Sequence, residues 1–262
     1  MASYARLPRW LRLGAFAALV TLVPGVAAQG CGGPSGPVTL RVLAASSLTD
    51  AFGEIGTAYG QTHKGVKVRV AFGGSQEMAE GLADREPGDV LVTADAASMD
   101  EAADHLTGRR RIVAQNALTV AVGPGNPRRL QGVQSLTRPG LRVVVGAGTT
   151  PIGRYARQIF TKAGLTVRWS SEEISARAVL DRVRSGEADA GLVYITDLRS
   201  AGAAASSVPI PAAQNVTATY QAAAVKDTGR EDAAERFVAW LATPDAQRLF
   251  NKYGFVTPAV PH

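Results

Sequence analysis

The sequence predicts an α/β protein built as two small lobes, each a mostly parallel sheet with helices packed on its faces. Three observations carry that reading. Short β-rich runs alternate with segments whose apolar residues recur at helical spacing. The part that can fold is about one and a half times the length of a typical domain. A turn-rich break, Gly123-Pro124-Gly125-Asn126-Pro127, interrupts the alternation and suits a crossing between lobes. Apolar residues make up 46% of the 262-residue chain, enough to bury a sizeable core and to exclude a disordered polypeptide.

Residues 38–44 read as a strand, followed by a helix over 48–59 with Leu48, Ala51, Phe52 and Ile55 on one face. A second strand (66–72) and helix (76–83) follow, then a third strand (89–93). Residues 117–122 lead as a strand into the break. Beyond it come strand 142–145, helix 152–163, strand 166–169, helix 176–185 and strand 190–194, then an alanine-rich loop around Ala203. Residues 219–225 form a strand returning to the first lobe, and helices 230–241 and 245–253 end the chain. The lobes are therefore expected at 38–118 with 220–262, and at 119–219.

The amino terminus has the pattern of a targeting segment. Arg6, Arg9 and Arg12 precede the apolar stretch 13–23, which has signal-peptide length and falls short of the roughly 20 residues that span a bilayer. Residues 1–30 are thus expected to be a signal peptide. Small residues ending at Cys31 resemble a bacterial lipobox, in which the cysteine is acylated; the other reading is ordinary cleavage near Ala28 with an incidental Cys31. Residues 31–37, rich in glycine and proline, form a flexible tether. Either way the folded part works outside the cytoplasm.

Composition excludes several classes of function. One cysteine rules out a disulfide framework, and three histidines beside it are too few for a zinc site of the usual kind. The three early arginines account for half of the net charge of +6. No basic run is interleaved with aromatics, which are only 6% of the chain, so nucleic-acid binding is not expected. Gly146, Gly148 and Gly153 are not followed by the Gly-Lys-Ser/Thr of a phosphate loop.

The informative positions are where strands turn into helices. Ser46 and Ser47 stand between the first strand and first helix, and Gly73-Gly74-Ser75 between the second pair. Each serine could simply cap its own helix. Two of them at carboxyl ends of strands in one lobe could instead share a ligand, because open α/β sheets bind there. The second lobe offers a similar pair. Thr150-Pro151 places a cap and then proline at the first helical position, so the Ile152 N–H should point out of the helix end. The Ala176 N–H, after Ser175, should be equally free. Such termini attract anions. Tyr194 ends a strand and can offer a phenolic donor.

The segments Ala44-Ala45-Ser46-Ser47-Leu48-Thr49-Asp50-Ala51-Phe52, Phe72-Gly73-Gly74-Ser75, Pro87-Gly88-Asp89-Val90, Pro151-Ile152-Gly153-Arg154-Tyr155-Ala156, Gly186-Glu187-Ala188-Asp189-Ala190-Gly191-Leu192-Val193-Tyr194 and Tyr253-Gly254-Phe255 together resemble the ModA family, the substrate-binding components of molybdate ABC transporters. The resemblance covers essentially everything after Val38. It implies a type II periplasmic-binding-protein fold, two α/β lobes joined by crossover strands that close on a tetrahedral oxyanion. Carried over residue by residue, it implies hydroxyl donors at Ser47 and Ser75, backbone N–H donors at Ile152 and Ala176, and the phenol of Tyr194, with Ser46 ranked below Ser47 because many relatives have alanine there. Ile152 stands where alanine is common, Ala176 where valine is common, and Tyr220-Gln221 where Tyr-Pro is frequent.

The resemblance further implies a non-enzymatic, monomeric receptor without a cofactor. It would take molybdate or tungstate as ligand, bind no metal by direct protein coordination, and deliver the ion to ABC permease subunits, held at the membrane by a lipid anchor on Cys31. Molybdate, tungstate and sulfate are fully deprotonated dianions at neutral pH and ask only for donors, whereas phosphate keeps a proton that asks for an acceptor. None of the five positions is acidic. A receptor for sulfate or another tetrahedral oxyanion is the rival within the class. A serine hydrolase using Ser47 or Ser75 is the rival outside it, disfavoured because Glu77 breaks the nucleophile-elbow pattern. Arg154 and Arg177, close behind the donor amides, are expected to be solvated or paired with a carboxylate; Asp189 and Asp197 to cap or orient backbone; and His63 to be an exposed loop residue.

Overall fold

The computed structural model describes residues 36–258. The segment expected as a signal peptide (1–30), the acylation site expected at Cys31 and most of the tether expected over 31–37 lie outside the described residues; Gly36 and Pro37 are exposed.

Val90-Leu91-Val92 and Val143-Val144-Val145 are continuous apolar runs with zero exposure, which is what strands of a parallel sheet covered on both faces require. The first half of the protein holds β1 (Val38–Ala45), α1 (Thr49–Thr62), β2 (Val66–Gly73), α2 (Ser75–Ala83), β3 (Val90–Thr93) and α3 (Ala96–Glu101). Strand β1 pairs in parallel with both β2 and β3. The long β4 (Leu106–Val122) then leads to β5 (Val143–Gly146), α4 (Pro151–Lys162), β6 (Ser171–Glu173), α5 (Ala176–Arg184), β7 (Ala190–Tyr194), α6 (Ile195–Ala201) and β8 (Ser206–Val208). The chain returns through β9 (Thr217–Val225) and ends in α7 (Glu231–Leu241) and α8 (Pro244–Lys252).

The strand order is β2-β1-β3-β9-β4-β7-β5-β6, with β8 also on β4. Strand β4 makes the crossing. Its first part, up to Ala117, pairs antiparallel with β9, and its last part, Leu118 to Val122, pairs antiparallel with β7. One curled sheet thus serves both halves, linked through β4 and β9. On the first half, Phe52 packs edge-on against Phe237 and Phe250, and Tyr59 against Phe237, so α1, α7 and α8 share one aromatic core.

The two halves repeat one device at their strand starts. Asp89, fully buried, accepts the Arg41 N–H at 2.7 Å and returns its own N–H to the Arg41 carbonyl, tying β3 to β1. Asp189 accepts the Arg142 N–H at 2.9 Å and bonds back to the Arg142 carbonyl, tying the start of β7 to that of β5. Each carboxylate also meets guanidinium groups: Arg230 at Asp89, and Arg142 with Arg128 at Asp189. The expectation that Asp189 orients backbone is met.

Several expectations need correction. No strand forms over 166–169; β6 lies just beyond, where its register with β5 pairs Val144 with Ser171. The alternation that suggested the earlier strand is packing: Val167 is buried and Trp169 stacks on Phe160 with the Arg157 guanidinium over its ring. Strand β4 begins at Leu106, far before 117, because pairing with β9 holds the polar stretch Arg109-Arg110-Arg111 in extended form. Helices α3 and α6 and strand β8 were not anticipated. The region around Ala203 is α6 followed by a 3-10 turn, Gly202–Ala204, rather than an open loop. His63 is half-buried, stacked on Tyr59 with ring centroids 3.9 Å apart.

Asp189 makes the fold acid-sensitive in a definable window. Its carboxyl is held down from 3.8 to about 2, chiefly by hydrogen bonds from the Arg142 side chain and backbone and from Arg128, against a desolvation cost. The folded chain therefore binds this proton less readily than the unfolded one. The stabilisation is complete above about pH 4 and is lost as pH falls through about 2. Asp189→Asn should be less stable than wild type in denaturant melts at pH 6, with the gap narrowing below about pH 4; a gap that stays constant down to pH 2 would refute the pairing.

Candidate functional site

The carboxyl ends of β1, β2 and β3 in the first half face the helix starts that follow β5, β6 and β7 in the second. Between them lies a small cavity lined by Ser46, Ser47, Gly74, Ser75, Thr150, Pro151, Ile152, Ser175, Ala176 and Tyr194, with Ala45, Gly73, Gln76, Ala94 and Ile174 completing the wall. The centre of a water-sized sphere can move through ≈ 20 Å³ of it. That corresponds to room for a body of about 3 Å radius, one tetrahedral oxyanion or a couple of waters, and excludes nucleotides and sugars. All six positions singled out from the sequence meet at this one cavity.

The structure resolves which serines cap helices and which do not. Ser47 sits within a 3-10 turn (Ser46–Leu48) and Ser75 is the first residue of α2 rather than its cap. The Ser75 Oγ accepts the Ala94 N–H at 3.0 Å, and the Ser47 Oγ is bonded to the Tyr220 Oη at 2.8 Å. Both hydroxyls are buried. In the second half the caps are Thr150, whose Oγ1 accepts the Gly153 N–H, and Ser175, whose Oγ accepts the Ala178 N–H. Those bonds serve the third helical residue and leave the amides of Ile152 and Ala176 without a partner among the described residues. Gly153 permits the tight α4 start: a Cβ there would stand 1.9 Å from the Ala147 carbonyl oxygen.

Tyr194 supplies the decisive atom. Its side chain is fully buried, and its hydroxyl has no hydrogen-bond partner among the described residues. Burial pushes its ionisation well above the ordinary phenol range, so the group stays protonated and can donate. A buried hydroxyl left unpaired costs about 1–3 kcal/mol, which a bound acceptor would recover.

Arg154 and Arg177 do pair with carboxylates, and the partners lie on the opposite half. Arg154 Nε meets the Asp95 carboxylate at 2.7 Å and its Nη2 reaches Ser98 Oγ at 2.8 Å, joining α4 to α3. Arg177 Nη2 meets Asp50 at 2.7 Å, joining α5 to α1. Arg177 Nε also lies 3.7 Å from Asp197, whose carboxyl burial pushes up to about 7 against the pull of Arg177 and the N–H of Tyr194. That N–H donates to Asp197 Oδ2 at 3.2 Å, so Asp197 orients the backbone beside the phenol, as expected. The Gln76 Nε2 closes the rim by donating to the Ile174 carbonyl at 3.0 Å.

Among the described residues no histidine, cysteine or carboxylate lines the cavity. A nucleophilic serine needs a base within reach, and the lining offers none to Ser47 or Ser75. Sequence reasoning missed Asp95, Gln76, Tyr155 and Tyr220. For Asp95 the signal was present: Asp95 followed three residues later by Ser98 is an N-cap pattern, and its Oδ1 accepts the Ser98 N–H at 3.0 Å.

A family model described as bacterial extracellular solute-binding protein matches residues 40–256. The molybdate-binding protein ModA of Mycobacterium tuberculosis is 35% identical over 260 residues, 95% of this chain and 100% of that protein. The chain belongs to the ModA family of bacterial extracellular solute-binding proteins. It is thereby a binding component that works outside the cytoplasm and not an enzyme. Among the described residues no helix is long and apolar enough to cross a membrane. Two solved structures share the fold. The periplasmic molybdate-binding protein of Azotobacter vinelandii has a TM-score of 0.72 at 23% identity, covering 84% of this chain and all of that one. The sulfate-binding protein SubI of Mycobacterium tuberculosis has a TM-score of 0.74 at 18% identity, covering 83% and 86%. Near-equal likeness to both means that the fold does not choose the anion; the cavity lining must.

The orphaned phenol generates an unusual expectation. Tyr194→Phe removes an unpaired buried hydroxyl, so without ligand the variant should be more stable than wild type by about 1 kcal/mol. It should also bind its anion more weakly. Thermal melts with and without anion check both halves, and a variant less stable than wild type in anion-free buffer would contradict the assignment.

Proposed function

We propose that this chain captures molybdate, and tungstate with it, between its two lobes and delivers the ion to the permease of an ABC transporter. The carrying observation is the convergence of donors without a carboxylate or imidazole on a cavity of oxyanion size. Ser47 and Ser75 donate hydroxyls, Ile152 and Ala176 donate backbone N–H groups, and Tyr194 donates its phenol; Ser46 lines the rim and ranks below them. The metal is bound as its oxyanion, with no protein atom coordinating it, and no cofactor takes part. Relatives named for molybdate at 35% identity support this ligand over sulfate, named for a relative at 25%.

The lobes, 38–118 with 220–262 and 119–219, close as the ion gains donors from both. The cross-cleft pairs of Arg154 with Asp95 and Arg177 with Asp50 belong to that closed arrangement. The receptor acts as a monomer on the outer face of the cell membrane, held by acylated Cys31 through the tether.

Molybdate at a hundred times its dissociation constant should stabilise the folded chain by about 2.7 kcal/mol, a clear rise in melting temperature. Ser47→Ala and Ser75→Ala should each weaken molybdate binding by roughly 10–100-fold, the worth of one hydrogen bond to a charged ligand, with the fold retained. Calorimetric titration with molybdate, tungstate, sulfate and phosphate makes the comparison. Melting unmoved by millimolar molybdate and tungstate would reject the ligand.

A further inference from the structure

The strand order puts β9 and β4 side by side in the middle of the curled sheet and β2 and β6 at its two ends. An opening of the halves about the crossing strands moves those ends furthest. Gly74, Ser75 and Gln76 directly follow β2, and Ile174, Ser175 and Ala176 directly follow β6. Between these two segments a hydrogen bond joins the halves: Gln76 Nε2 donates to the Ile174 carbonyl at 3.0 Å. A carbonyl can only accept, so the chemistry of Ile174 fixes which end of the Gln76 amide faces it. The other end, Oε1, is buried without a partner among the described residues, so the amide holds the closed position by one bond and is wetted by any widening. Both residues line the anion cavity, and Ile174 is 63% exposed, which sets the bond at the cavity mouth. The ion pairs of Arg154 with Asp95 and Arg177 with Asp50 stand elsewhere, since none of those four residues lines the cavity.

Gly74 shows that the sequence makes room for this bond. Its backbone, φ −61° and ψ 141°, is open to any residue, so glycine is not required there for its conformation. A Cβ at Gly74 would instead stand 2.6 Å from Gln76 Nε2 and 2.8 Å from the Ile174 carbonyl oxygen. The Gln76 amide is the end of a flexible side chain and could swing aside. The carbonyl belongs to the backbone of the other half and could withdraw only if the halves part. The missing side chain at Gly74 is thus a requirement of the closed arrangement and not of the first half by itself.

We propose that Gln76 and the Ile174 carbonyl are the gate of the oxyanion site, shutting over Gly74 as the last contact between the halves to form and the first to break, and that this gate sets how fast the ion leaves. This rests on the oxyanion-receptor reading above. Gln76 is a positioning residue: it acts on the halves, while the donors named earlier act on the ion. The ion enters while the halves are apart, before the bond exists, so the gate governs release and leaves capture untouched.

The test compares the full chain with Gln76→Ala, which removes the bar, and Gly74→Ala, which obstructs its closing. Release of radiolabelled molybdate into excess unlabelled molybdate gives the dissociation rate, and calorimetry gives the dissociation constant; their ratio is the association rate. Both variants should release the ion ~10-fold faster, the worth of one hydrogen bond, with association within about 2-fold of wild type. Anion-free melts check that each variant is folded. A folded Q76A or G74A that releases at the wild-type rate overturns the gate, and so does weaker binding that comes wholly from slower association. Should neither variant fold, proton NMR of the wild-type chain decides. The Gln76 side-chain amide protons should exchange with solvent more slowly when molybdate is bound than without it, and equal exchange overturns the gate. These outcomes leave the receptor reading standing; a wild-type chain that binds neither molybdate nor sulfate overturns that reading and the gate with it.

Discussion

The structure depends on hydrogen-bond donors buried where the protein supplies no acceptor. A folded chain normally pairs nearly all of its buried polar groups, because each one left alone costs a substantial fraction of the net stability of a domain. Here three such donors share one place. The Tyr194 hydroxyl and the amides of Ile152 and Ala176 border the same small cavity, beside Ser75, whose Oγ accepts the Ala94 N–H, and Ser47, whose Oγ is bonded to the Tyr220 phenol. A dianion of suitable size would pair these groups at once. The site can therefore hold a strongly charged ligand with neutral groups alone, using dipoles already in place.

That arrangement also gives the two halves a reason to meet. The serines belong to the first half, the amides and the phenol to the second, so an oxyanion in the cavity would complete its coordination only with both present. Around it the halves touch through Arg154 with Asp95, Arg177 with Asp50, and Gln76 with the Ile174 carbonyl. Tyr155 adds a three-way link, donating to the Ala94 carbonyl on one side and accepting the Thr219 N–H of the crossing strand. Tyr155, Tyr194 and Tyr220 pack edge to face beneath the cavity. The arginines stand outside the cavity lining and pair with carboxylates of the opposite half, so an ion in the cavity would meet only uncharged donors.

The aspartates that open β3 and β7 show how the same local problem is solved twice. In each half a parallel strand begins next to its neighbour's backbone amide, and an aspartate both pairs with that amide and draws in arginines. Their place near conspicuous motifs, Pro87-Gly88-Asp89 and Ala188-Asp189, invites a functional reading. Their position at the amino ends of the strands, away from the carboxyl ends that build the cavity, makes them anchors of the sheet.

The sequence by itself determined the features that arise within a few residues: the parallel-sheet strands as unbroken apolar runs, the helix starts at Thr150-Pro151 and Ser175, and the positions whose amides must be left free there. Those follow from capping and from proline chemistry, which are local. Which serines cap helices was not legible, because Ser75 and Thr150 look alike as helix-start residues and differ only in what stands opposite them. Strand 166–169 failed for a related reason: its apolar alternation was real, yet Trp169 found Phe160 and the ladder formed at Ser171. Only the tertiary structure decided the rest. Ser47 and Tyr220 are separated by 173 positions in the chain, and Arg154 and Asp95 by 59. Such contacts are fixed by how β4 and β9 cross between the halves, and the spacing of residues along the chain carries no trace of a pairing made by that crossing.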